Sequence, residues 1–127
     1  MWCRGIRGAI TVTANNKERI IAASKELLEE MVQANGIEID EVAAIFFTTT
    51  SDLNAEFPAA ATRELGWPQH LALLCGHEMN VPHSLPHCLR VLMLVNTGKG
   101  AAEIKHIYLR EARKLKRGEA IIPGGKK

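Results

Sequence analysis

CGHEMNVPHSLPHCLR, residues 75–90, separates two apolar runs, Leu71–Leu74 and Leu89–Val95. Each run is short enough to read as a buried strand. Glu78 falls just past the first and Arg90 lies inside the second, where apolar side chains are expected. An unpaired guanidinium is very costly to bury, so Arg90 has to face either a carboxylate or an anionic ligand. Pro82 and Pro86 mark the stretch between the strands as a loop.

Working outward, the chain alternates strands and helices. Trp2–Ala9 followed by Ile10, Thr11 and Val12 is a β-prone opening. Strand parity puts Arg4 and Arg7 on opposite faces, and Gly5 and Gly8 leave room for close approach to the backbone around Arg7. Asn15 with Glu18 resembles a capping box. Ile20, Ile21, Leu27, Leu28, Met31 and Val32 then recur at helical spacing, and Gly36 closes the helix. An amphipathic helix of about five turns needs a sheet to lie on. Val42–Thr50 reads as a second strand. Asp52 opens a loop, and Pro58 starts a short helix that ends near Leu65 with Gly66 as its stop. Leu71–Leu74 and Leu89–Val95 are the third and fourth strands, and Asn96–Gly100 a turn. Ala101–Lys116 leans towards helix by propensity, although Ile104, His106 and Tyr108 alternate as a half-buried strand would. The order predicts an α/β (α+β) domain over residues 1–116. Its mixed sheet is packed by one long amphipathic helix and a short helix. Residues 117–127, ending in PGGKK, are expected to form a flexible tail.

The 127 residues fit one domain with one core, and 46% hydrophobic content argues against disorder. A net charge of +2, with no basic stripe and few aromatic platforms, points away from nucleic acid. Cys3, Cys75 and Cys88 are an odd number without a disulfide spacing, and read as reduced thiols. No apolar run is long enough to cross a bilayer and the N-terminus has no signal core, so a cytoplasmic protein is expected.

Four constellations could carry chemistry. Arg7, Arg90 and Glu78 suit a small polar pocket, with two forked donors for carboxylate or ether oxygens and one acceptor for a hydroxyl. The plainer alternative is an internal Arg90–Glu78 salt bridge with Arg7 on the surface. Cys75, His77, His83, His87 and Cys88 could be zinc ligands, but their spacings match no closed motif, so no metal is expected. Cys75 with His77 as base could make a nucleophile, but no third group orients the pair. His106 and Tyr108 could exchange a proton, though a tyrosine at a pocket edge is the commoner arrangement. The chain has no GxGxxG, GxxxxGK, HExxH or GxSxG. A pocket of arginines with one carboxylate and no cofactor motif suits a reaction that needs charge stabilisation and little else.

Three stretches together carry a resemblance. They are RGIRGAITV at Arg4–Val12, DL-xxx-FPA-xxx-REL at Asp52–Leu65, and CGHEM…CLRVLMLVNT with IKHIYL ending at Leu109. In this order and at these distances they resemble the bacterial chorismate mutases that form trimeric pseudo-α/β barrels. The resemblance implies a homotrimer with sites at subunit interfaces. It also implies cofactor-free conversion of chorismate to prephenate on the route to phenylalanine and tyrosine. By motif, Arg7 would grip a carboxylate and Arg90 would contact the ether oxygen and a carboxylate. Glu78 and Cys75 would lie near the ring hydroxyl, and Tyr108 would close one end. Phe57, Ala59 and Arg63 would line the site from the neighbouring subunit, Leu74 would offer only its backbone, and Leu115 would begin the cover. It also implies a strand within Ile104–Leu115, against propensity. Leu74 and Ala60 depart from residues seen in some relatives, a hydroxyl and a base respectively. A related trimeric enamine or imine hydrolase, or a non-catalytic binder of small aromatic acids, are the competing readings.

Overall fold

The computed structural model describes residues 1–117. Five strands, β1 (Trp2–Thr11), β2 (Val42–Thr49), β3 (Ala72–His77), β4 (Cys88–Thr97) and β5 (Ile107–Leu109), form one mixed sheet in the order β3-β2-β4-β1-β5. The central β4 is antiparallel to both neighbours, while β3 runs parallel to β2 and β5 parallel to β1. Two α-helices, α1 (Lys17–Asn35) and α2 (Ala60–Glu64), and a 3-10 helix at Arg110–Arg117 complete the main elements.

Strand parity divides the sheet into two unlike faces. Ile6, Ile10, Ile45, Phe47, Leu89 and Met93 point to one side and are fully buried there with Ile20, Leu27, Leu28 and Met31 of α1. Each such side chain contributes about 1.5–3 kcal/mol by leaving water. Gly8 is what lets the helix settle: a Cβ at this position would collide with Met31 Sδ and come within 3.1 Å of Leu27 Cδ1. The other face carries Arg7, Ala9, Phe46, Thr48, Arg90 and Leu92, and among the described residues no α-helix covers it.

The helix starts one residue later than the capping pattern suggests. Asn16, not Asn15, is the cap, and its Oδ1 accepts from the Arg19 N–H at 2.9 Å. Asn15 instead reaches across to the loop before α2. There its Oδ1 accepts from the N–H groups of Asn54 and Ala55, each at 3.0 Å. At the other end Gly36 adopts φ +61°, a left-handed turn that glycine makes without a Cβ penalty, and Ile37 N–H donates to Val32 O. The short helix falls where Pro58 and Gly66 place it.

Three further expectations need correction. The third strand continues past Leu74 to His77, because β2 supplies a ladder as far as Thr49↔His77. The fourth absorbs Asn96 and Thr97, which pair with Cys3 and Trp2, so the turn begins at Gly98. Ala101–Lys116 is not one helix. A 3-10 turn at Ala101–Glu103 leads into β5, which lies along β1, and Arg110 then swings the chain through φ +56° into the 3-10 helix. Propensity loses here because the β1 edge offers hydrogen bonds that an isolated helix would leave unmade. The Arg110 fork also ties the turn down, reaching Thr11 O at 2.9 Å and Glu26 Oε1 at 2.8 Å. Of the expected tail, Arg117 ends this helix and residues 118–127 lie outside the described residues.

Candidate active site

A row of register partners crosses the open face: Thr48 on β2, Arg90 on β4, Ala9 on β1 and Tyr108 on β5. Ala9 is the only small side chain of the four, so a gap opens between the arginine and the tyrosine. Arg7 stands two residues along β1 on the same face. Glu78, just beyond β3, is brought over the row by its N–H, which donates to Thr49 O at 2.8 Å. Leu115 of the 3-10 helix leans in from above, packed with Ala112 against Ala9 and Cys88. Arg7, Glu78, Arg90, Tyr108 and Leu115 thus share one cavity of about 420 Å3.

Arg90 is neither fully paired nor free. Its Nε lies 3.5 Å from Glu78 Oε2, close enough for attraction. Yet that nitrogen is buried and has no hydrogen-bond partner among the described residues. The Glu78 oxygen is engaged by the Thr48 hydroxyl, which donates to it. The Arg90–Glu78 pair exists, and Arg7 opens into the same cavity. A buried N–H without an acceptor is costly, and a ligand oxygen beside it would relieve that cost.

Cys75 and Phe57 are not in this cavity. Cys75 pairs with Phe47, so it points to the opposite side of the sheet from Arg90. It lines a second cavity of about 360 Å3 with Phe57, Pro58 and His77. Ala59 is half-buried nearby against the core, Arg63 is exposed on α2, and Leu74 is 61% exposed on the arginine face. Phe57 itself is 70% exposed. Within one chain, then, the expected site residues form two separate groups.

The thiols are not activated. Burial pushes the Cys75 thiol up, against a smaller lowering from the Ala59 N–H, and pushes Cys88 up to about 11 despite Arg90 nearby. His77 Nδ1 is occupied with Thr49, 3.1 Å from its hydroxyl, and not with Cys75. Among the described residues no three of His, Cys, Asp and Glu gather into a group that could hold a metal ion. His87 is instead tied to a structural carboxylate: its N–H donates to Asp52 Oδ2 at 3.0 Å. Burial raises the Asp52 pKa, but the Thr50 hydroxyl and the His87 N–H and imidazole outweigh it and hold the group below 3.8. Thr48 and Asp52 are the partners that the sequence reading did not single out. Thr48 was findable, since three threonines end a strand that must pair beside Arg90.

The family model for chorismate mutase type I matches residues 3–118. The chain belongs to the type I chorismate mutases. It is 48% identical to the chorismate mutase AroH of Thermus thermophilus over 114 residues, covering 89% of this chain and 93% of that one. Against the chorismate mutase AroH of Bacillus subtilis it is 40% identical over 109 residues, 86% of each. A solved chorismate mutase from Clostridium thermocellum superposes with a TM-score of 0.85 at 47% identity, over 90% of this chain and 99% of that one.

Proposed function

We propose that the Arg7–Glu78–Arg90–Tyr108 cavity is where this enzyme rearranges chorismate to prephenate. Family membership carries the reaction, and the buried, unpartnered Arg90 Nε carries the assignment of the site. The rearrangement is pericyclic: one C–O bond breaks while one C–C bond forms, and no proton moves. An enzyme can help in two ways. It can hold the enolpyruvyl side chain over the ring, and it can meet the charge that grows on the ether oxygen.

Arg90 is the donor for that oxygen. Its Nε is already dehydrated, and Glu78 holds the guanidinium from one side. One such preorganised donor supplies roughly 3 to 4 kcal/mol, against about 8 kcal/mol for the smallest typical enzymatic gain. Positioning must provide much of the rest. Arg7 and Tyr108 hold carboxylate oxygens, and Glu78 accepts from the ring hydroxyl. The reaction asks for no acid–base or covalent chemistry, so Glu78 and Tyr108 serve here as hydrogen-bond partners.

The reading extends to assembly. Phe57 is an exposed apolar side chain at the group that includes Cys75, Ala59 and Arg63, and Leu74 is another, on the arginine face. A homotrimer would bring this group from one chain against the arginine cavity of the next and complete a site at each interface. A cytoplasmic setting fits the three free thiols. Among the described residues no helix is long and apolar enough to cross a membrane.

The direct test follows the loss of chorismate ultraviolet absorbance on mixing with enzyme, in the presence of a chelator. Turnover should persist. Bound but unconsumed chorismate would instead favour a binding protein, and activity abolished by the chelator would restore a metal. In the same assay Arg90→Lys should lose about a hundredfold or more in kcat, because an ammonium lacks the planar fork. Arg63→Ala should lose only a few-fold. Equal losses would refute the role given to Arg90.

A further inference from the structure

The β1–β5 ladder starts at Gly8↔Ile107, so Arg7 sits one residue ahead of it. The Arg7 N–H does not go to a strand carbonyl. It donates to Nδ1 of His106 at 2.9 Å. His106 is itself held from behind. Asn35, the last residue of α1 and 3% exposed, grips the preceding residue twice. Its Oδ1 accepts from Lys105 N–H at 2.8 Å and its Nδ2 donates to Lys105 O at 2.9 Å. The same Nδ2 donates to Met31 O. A continuous set of hydrogen bonds thus runs from the buried helix end through Lys105 and His106 to the backbone of Arg7.

We propose that His106 is a positioning residue for substrate binding: its Nδ1 fixes the backbone from which Arg7 reaches the substrate carboxylate. This rests on the reading of Arg7 given above. The imidazole acts as an acceptor, so it is neutral with its proton on Nε2. Burial first, and the Arg7 charge second, favour that form by lowering the His106 pKa below 6.5. The residue does not line the arginine cavity, so it acts on the substrate through the backbone it holds at Arg7. Arg7 is paired on its β4 side, opposite Leu92, but lies just outside the β5 ladder, so the His106 contact is what holds its other edge; small displacements of a gripping group weaken binding steeply.

Asparagine places an amide oxygen about where Nδ1 stands, whereas leucine keeps the bulk and removes the acceptor. His106→Leu should raise KM for chorismate about tenfold with kcat within about twofold. His106→Asn should keep both constants within about twofold of the parent. His106→Ala serves as a second acceptor-free variant if the leucine enzyme does not fold, with thermal melting as the check. An unchanged KM in the acceptor-free enzyme overturns the proposal. So does equal damage from Asn and Leu, or a loss confined to kcat. Arg7→Ala separates the two readings. If it raises KM while His106→Leu does not, only the proposal fails. If it leaves KM unchanged, the role of Arg7 fails and the proposal with it.

Discussion

Arg90 is restrained on one side and open on the other, and the whole site follows from that asymmetry. Glu78 at 3.5 Å offsets part of the guanidinium charge without satisfying its Nε, while Thr48 keeps the carboxylate from closing further. A bridge that also took up Nε would leave that donor unavailable to a ligand oxygen. Cys75 shows the opposite case, a reactive residue type made inert by its surroundings. Its thiol is held protonated by burial and has no base in contact. Cys75→Ser should therefore fold and retain turnover within about fivefold, since the hydroxyl keeps the small polar contact. Complete loss of activity in the folded variant would bring back a thiol mechanism. The pairing of Glu78 with Arg90 was legible from their places beside apolar runs. The orientation of Cys75 was not, because it depends on a strand that continues three residues beyond the apolar run.

At the level of elements, α1 was readable almost to the residue, since its period, its glycine stop and its polar start agree. The one-residue error at the start has a physical source. Asn15 and Asn16 can both cap, and the choice is made by Asn54 and Ala55, thirty-nine and forty positions along the chain. Propensity misread β5 for a related reason, although alternation and the family resemblance pointed to a strand: three residues with ordinary helical propensity become one only because β1 has a vacant edge. The contact between α1 and β1 is close at Gly8. Gly8→Val should destabilise the protein by about 1–3 kcal/mol, because its side chain must displace Met31 and Leu27 from a filled core. Urea unfolding measures this directly. KM should rise with it, as the displaced strand carries Arg7. A valine variant of unchanged stability would mean that the helix is less closely seated than the geometry indicates.

Across the whole molecule, one sheet face is filled by a helix and the other is left to polar site residues and bare apolar side chains. Phe46 at 37%, Leu92 at 40% and Leu74 at 61% exposure lie together on that uncovered side. Exposed apolar side chains gathered on one face mark an association surface. Sedimentation should give the mass of three chains, with activity per chain falling on dilution as the assembly separates. Full activity in a species of single-chain mass would show that the cavity is complete by itself. The sequence pattern could not expose this division, since alternation tells which residues share a face but not what covers it. The strand order has one more consequence, for biosynthesis. β1 is translated first, yet its partners are β4 and β5, so residues 2–11 wait for residues 88–109. α1 can pack on β1 early, but β1 gains a strand partner only once residues 88–109 have been made, so the sheet is committed late rather than piece by piece as the polypeptide emerges.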